Sequence, residues 1–190
     1  MSRPLIVTEF VSLDGVMQAP GGEPGYAHSG WVGPYFNEEL GAYKFAEQDA
    51  ADLLLLGRVT YESFYGAWPS RAGDPMADKI NGMTKYVVSS TLGSSPWHDT
   101  HVIAHDPLTA VAELKAGDGG PILLAGSRTL AQALLVGGLV DELHLQVFPT
   151  VLASGLRIYP DSPERLDLLL TSSTPTATGV LLQEYTVSAR

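Results

Sequence analysis

The sequence predicts an α/β fold in which a mostly parallel central sheet carries helices and finishes in antiparallel strands. Three observations predict it. Short apolar runs alternate with amphipathic segments through most of the chain, the pattern of strands joined by covering helices. One run, Asp52–Leu56, is apolar throughout after its first residue, as expected of a central strand buried on both faces. Three late strand segments have no helical pattern between them, which predicts an antiparallel last third.

The elements follow in order. Leu5–Val11 is rich in β-branched and aromatic residues and reads as a strand. Asp14 to Pro34 is a Gly/Pro-rich stretch, and a loop that long inside a compact domain is usually functional. Its aromatics Tyr26, Trp31 and Tyr35 suit either a lid or anchors on the core. Asn37–Asp49 spaces Leu40, Tyr43 and Phe45 as a helical stripe. After the strand Asp52–Leu56, Arg58–Phe64 and Met76–Gly82 read as short helices. Lys85–Val88 and Thr100–Ala104 read as strands. Pro107 opens a helix to about Ala116, closed by Gly117. Pro121–Ala125 is the next strand, and Ser127–Leu135 a helix stopped by Gly137-Gly138. The late strands are Glu142–Val147, Asp167–Thr171 and Val180–Val187.

Composition narrows the chemistry. A length of 190 residues suits one domain, here residues 1–190, with a core that needs no staples. With 11 Lys+Arg against 21 Asp+Glu the net charge is −10, which disfavours nucleic acid and anionic membranes as partners. The chain has no cysteine, so thiolate nucleophiles, disulfides and cysteine metal sites are excluded. His101 and His105 bracket a strand, so no metal site is expected. No segment reads as a signal peptide or membrane span, and a cytoplasmic protein is expected.

Three strand ends carry small or hydroxyl residues: Gly57-Arg58-Val59-Thr60, Ser89-Ser90-Thr91 and Gly126-Ser127-Arg128-Thr129-Leu130. Open α/β sheets bind ligands at the carboxyl ends of their strands. Two of these ends also open helices, whose free amides suit a pyrophosphate, and Arg58 or Arg128 can add charge-assisted bonds. No Walker motif or GxGxxG fingerprint is present, and no serine sits in a GxSxG elbow. Carboxylates near the expected crevice are Glu9, Asp14, Glu38 and Glu39.

These residues carry a resemblance. Gly57-Arg58-Val59-Thr60-Tyr61-Glu62-Ser63 closely resembles the GR-x-TWES segment of dihydrofolate reductases. Ser12-Leu13-Asp14-Gly15 resembles the SLDG ending the first strand of the reductase domain in bifunctional riboflavin-biosynthesis proteins. Gly126 with Thr129-Leu130, then Leu139-Val140-Asp141-Glu142-Leu143 and Pro149 with Gly155, resembles the later pattern of that domain. The matches run in order through nearly the whole chain. The sequence is therefore identified as resembling the stand-alone bacterial members of the dihydrofolate-reductase-like, riboflavin-biosynthesis reductase (RibD) C-terminal-domain family.

The resemblance implies a three-layer dihydrofolate-reductase-like fold with NADPH across the strand ends. Gly57, Arg58 and Thr60 would meet phosphates, with Arg58 near the 2′-phosphate. Ser89, Ser90 and Thr91 would line the adenosine ribose. Gly126, Ser127, Arg128, Thr129 and Leu130 would hold the pyrophosphate, and Val16 and Met17 would cover the nicotinamide. Dihydrofolate reductases carry a pterin-binding carboxylate at the position where counting back from Gly57 finds Gly41. The implied activity is NADPH-dependent hydride transfer to a small heterocyclic, imine or carbonyl substrate, with Asp14, Tyr61 or a bound water as proton donor. The alternative is a non-enzymatic nucleotide-binding member of the same fold. The apolar late strands, 142–151 and 167–187, predict a homodimer.

Overall fold

The computed structural model describes residues 2–71, 73–159 and 165–188. Eight strands form one sheet: β1 (Leu5–Ser12), β2 (Leu53–Gly57), β3 (Thr84–Val88), β4 (Thr100–Ile103), β5 (Ile122–Ala125), β6 (Glu142–Phe148), β7 (Leu168–Pro175) and β8 (Leu181–Val187). Their spatial order is β4-β3-β2-β5-β1-β6-β8-β7. The helices are α1 (Glu38–Ala50), α2 (Arg58–Ala67), α3 (Pro75–Gly82), α4 (Pro107–Ala116) and α5 (Arg128–Val136). Every strand and helix expected from the periodicity is present, with ends shifted by at most a few residues.

Alternation along the strands builds the three layers. Leu5, Val7, Leu53, Leu55, Ile122 and Leu124 face Val111 of α4 and the apolar stripe of α5. Their neighbours Leu54, Leu56, Leu123 and Ala125 face Tyr61 of α2 and Ile80 of α3. Because β2 and β5 are buried on both faces, they need no polar positions, which explains their continuous apolar runs. A third cluster joins Phe148, Leu182 and Leu40 of α1 to Trp31 and Val32.

The late strands are antiparallel to one another as expected, β8 pairing antiparallel with β6 and with β7, while β6 also joins the parallel part of the sheet beside β1. The reason is α5, which carries the chain back along the sheet so that β6 starts at the same edge as β1. The Gly/Pro stretch is pinned rather than open. Trp31 is buried 5.1 Å from the Phe148 ring, and its Nε1–H donates to the Gln18 carbonyl. Tyr35 lies edge-on to the same ring, and the Tyr26 hydroxyl donates to the Ser154 carbonyl. The aromatics act as anchors.

A candidate cofactor crevice at the strand ends

Strands β3, β2 and β5 are adjacent and parallel, with Gly57 opposite Val88 and Leu55 opposite Leu124. This register brings Gly57, Ser89 and Gly126 to one edge of the sheet. The β2 and β5 ends touch. A Cβ on Gly57 would lie 2.3 Å from Ser127 Cβ, and one on Gly126 would lie 2.6 Å from Thr60 Oγ1. Gly126 also has φ +65°, so glycine is required there twice over.

Helix starts are not treated alike. Asn37, Asp74 and Asp106 each accept a first-turn amide of α1, α3 and α4 through a side-chain oxygen. The starts of α2 and α5, at Gly57 and Ser127, have no side-chain cap. Among the described residues no side chain therefore answers their first-turn amides and positive dipole ends.

Beside them lies an open groove of about 460 Å³ lined by Arg58, Ser89, Ser90, Thr91, His105 and Asp106, among others. Ser89 is buried, and its Oγ accepts the Thr91 and Leu92 amides, which fixes the turn. Ser90 and Thr91 are exposed at its tip. Arg58 reaches the groove from α2 with a half-exposed side chain, steadied at 2.8 Å by Glu62 one turn on. These residues are brought together as the sequence predicts.

Other candidates are placed differently. Thr129 is exposed on the first turn of α5, but Leu130 is 5% exposed and packs into the core, so only its amide can serve a ligand. Arg128 donates through Nε to the Arg157 carbonyl at 2.9 Å and ties α5 to the loop before Ile158. Val16 and Met17 are buried; their amides donate to Ser12 Oγ and the Leu156 carbonyl. They form a packed wall.

Neither expected proton donor is free for that role. Asp14 accepts the Ser12 hydroxyl at 2.7 Å and the Leu152 and Ala153 amides at 3.1 and 3.0 Å. These bonds, the Ser12 hydroxyl foremost, hold its carboxyl below the ordinary aspartate value, so it is a clamp on the 149–157 loop and a poor acid. Tyr61 is 3% exposed among Tyr65 and Trp97, and its hydroxyl shares a 2.6 Å bond with Ser95. It belongs to the core, because its position on α2 points at β2 and β3.

Sequence reasoning missed a buried polar network beneath α1. Lys44 Nζ lies 2.6 Å from Glu47 and 2.7 Å from Thr8 Oγ1, and His144 Nδ1 lies 2.8 Å from the other Glu47 oxygen. Burial pushes Glu47 up, but Lys44 and His144 outweigh it and hold the carboxyl below its usual range. Burial likewise opposes charge on His144, and the Glu47 carboxylate reverses this, raising its pKa. The contacts join α1 to β1 across 36 residues of chain and to β6 across 97, so no local pattern announces them. Glu9, an acid inside an apolar strand run, is the one signal that was visible. It is 6% exposed, and its Oε1 has no hydrogen-bond partner.

A sheet of this order, with three strand ends meeting in one crevice and two of them opening helices, defines a dihydrofolate-reductase-like domain. The chain belongs to the RibD C-terminal domain family, whose model matches residues 3–182. It is 27% identical over 188 residues to the protein YyaP of Bacillus subtilis (strain 168), covering 96% of this chain and 94% of that one. Among solved structures it resembles a Thermotoga maritima diaminohydroxyphosphoribosylaminopyrimidine deaminase/5-amino-6-(5-phosphoribosylamino)uracil reductase. There the TM-score is 0.68 at 12% identity, over 98% of this chain and 57% of that one. It also resembles dihydrofolate reductase from Enterococcus faecalis complexed with NADP(H), with TM-score 0.60 and 15% identity over 100% and 99% of the two chains. At such identities the two structures speak for the fold. Among the described residues no helix is long and apolar enough to cross a membrane.

Proposed function

We propose that the protein is an NADPH-dependent reductase of a small heterocycle with a C=N or C=O bond, of the phosphoribosylaminouracil or pterin kind. The observation that carries this is the pair of uncapped helix starts, α2 and α5, meeting at the Gly57–Ser127 and Gly126–Thr60 contacts. Three other helices of the same chain are capped by their own side chains, so the two left open mark where an anion belongs. The residues present fit the cofactor. Amides at Arg58–Thr60 and Arg128–Leu130 suit a pyrophosphate, and Ser90 and Thr91 offer hydroxyls to a ribose. Arg58 suits the 2′-phosphate. That neighbours of this fold include an uracil reductase and an NADP(H)-bound reductase supports the reading.

When bound, the cofactor supplies the hydride. The protein's part is to position and exclude. The α2 and α5 amides fix the phosphates, while the pinned loop around Trp31 and Tyr35 and the buried Val16–Met17 wall keep water from the reacting carbon. A non-enzymatic nucleotide-binding member remains the second reading, favoured by Gly41 standing where dihydrofolate reductases carry their carboxylate. We also propose a homodimer through the β7 edge, where Leu169 and Leu170 are 64% and 50% exposed.

Titration of wild type and Arg58→Ala with NADPH and NADH tests the assignment. One charge-assisted bond contributes about 1.5–3 kcal/mol. Arg58 is half exposed and shared with Glu62, so the lower end applies: about a tenfold weaker NADPH affinity and little change for NADH. Failure of the wild type to bind NADPH refutes the proposal. Binding without turnover of any pterin, lactam or quinone favours the second reading.

A further inference from the structure

Glu9 is not used by anything described above. It sits on β1, the strand between β5 and β6, opposite Leu145 and one residue past the Thr8–Ala125 pair. That places it level with Gly126, whose amide faces its carboxyl. The residue is 6% exposed, yet Oε1 has no hydrogen-bond partner. A buried carboxyl oxygen left unanswered is costly, by about 1–3 kcal/mol, and native chains rarely keep one without use. The only other such oxygen among the described residues is Gln48 Oε1, which belongs to α1. Glu9 is therefore a buried polar group left unanswered at the level of the Gly126 turn.

We propose that Glu9 reads an amide-type group, a –CO–NH2 or a ring –CO–NH–, on the molecule bound at the Gly126 turn, with Oε1 as the contacting atom. A neutral carboxyl carries one donor and one free acceptor side by side, which is the complement of a carbonyl beside an N–H. The surroundings keep it neutral. Burial raises its pKa to about 8, and Lys44, the Gly126 amide and Glu47 act on it as smaller influences, the first two favouring the anion and Glu47 opposing it. Lys44 is committed to Glu47 and Thr8 at 2.6 and 2.7 Å, so it does not supply Glu9 with a partner.

The inference rests on the crevice being the ligand site, and two ligands could bring the amide there: the carboxamide of a nicotinamide cofactor or the lactam of a heterocyclic substrate. The test separates these. Infrared difference spectra of protein labelled with 13C-glutamate, wild type against Glu9→Gln, report whether Glu9 is a neutral acid at pH 7 with no ligand present. A protonated carboxyl band that vanishes in the variant is expected. Its absence overturns the proposal and leaves the cofactor reading untouched.

Binding of NADPH, of its 3-acetylpyridine analogue, which lacks the amide N–H, and of uracil is then measured from pH 6 to 9. For the ligand that Glu9 reads, wild-type affinity should fall several-fold as pH passes about 8. Glu9→Gln, which keeps one donor and one acceptor, should bind within about twofold of wild type at pH 7 and lose the pH dependence. Glu9→Ala should bind about tenfold more weakly, the fold-change of one hydrogen bond. A response confined to NADPH and reduced with the acetylpyridine analogue assigns the carboxamide; a response confined to uracil assigns the lactam. If the wild type binds uracil but not NADPH, the cofactor reading fails and Glu9 is still decided by the uracil arm. If no ligand responds to pH or to either variant, Glu9 is only a buried acid and the proposal falls.

Discussion

At the edge where the parallel strands begin, charged groups close on one another; at the edge where they end, amides and hydroxyls face outward. At the beginning edge Arg3 donates to the Gly120 carbonyl and pairs with Asp52, which in turn accepts the Gly120 amide. Lys115 holds Asp141 and the Leu139 carbonyl, and Asp141 also accepts the Leu5 amide. Lys85 is fully buried and donates to the carbonyls of Asn81, Met83 and His98, its ammonium 4.6 Å from the Trp97 ring centroid. The difference follows from helix polarity. Helices covering a parallel sheet end where the strands begin, presenting carbonyls that cations answer, and start where the strands end, presenting amides that anions answer. The chain provides its own cations for the first edge, and among the described residues no side chain caps the α2 and α5 starts at the second. Stability is built at one edge, and binding capacity is left at the other.

The largest expected effect tests the closed edge. Lys85→Ala strands three carbonyls in a dry site, at about 1–3 kcal/mol for each group left unpaired. Urea unfolding should show a loss of about 3 kcal/mol or more, with NADPH affinity unchanged under conditions where the variant is folded. A stable Lys85→Ala variant, or one whose main defect is in binding, would break the comparison.

The next sharpens it at the open edge. Gly57→Ala places a methyl 2.3 Å from Ser127 Cβ, so the α2 and α5 starts must part. Overpacking of this kind costs about 1–3 kcal/mol, and NADPH binding should weaken with it. Ser127→Gly in the same chain removes the colliding atoms and should restore most of both losses. Failure of the double variant to recover would mean that the two helix starts are not coupled through this contact.

The effect that arrives most gradually, spread over several pH units, concerns Glu9 and stability. Its folded pKa of about 8 lies above the ordinary value of 4.5, so the folded chain keeps a proton that the unfolded chain releases between those values. The stability from Glu9 is thus complete below about pH 4.5 and lost progressively up to about pH 8. Wild type should fall relative to Glu9→Gln by up to about 1.4 kcal/mol per pH unit in that window and run parallel above it. Parallel unfolding curves across the whole range would show a Glu9 that is already ionised.

Much of this molecule was legible in its sequence, and the rest was not for a physical reason. Strands and helices answer to periodicity within a dozen residues, so the continuous apolar run of β2, the stripe of α5 and the Pro107 start of α4 are visible without partners. The glycines and hydroxyls at 57, 89 and 126 were legible as well, because each follows its own strand directly. What a polar side chain does depends on what lies across from it. Asp14 became a clamp through amides at 152 and 153, and Arg128 was claimed by the carbonyl of 157. Lys44 found Gln146 as well as Thr8. The parallel setting of β6 likewise depended on the return of α5 across the sheet. Local periodicity decides which segments are strands and helices. Only the tertiary structure decides which of their polar atoms are already answered, because those partners lie tens to more than a hundred residues away in the chain.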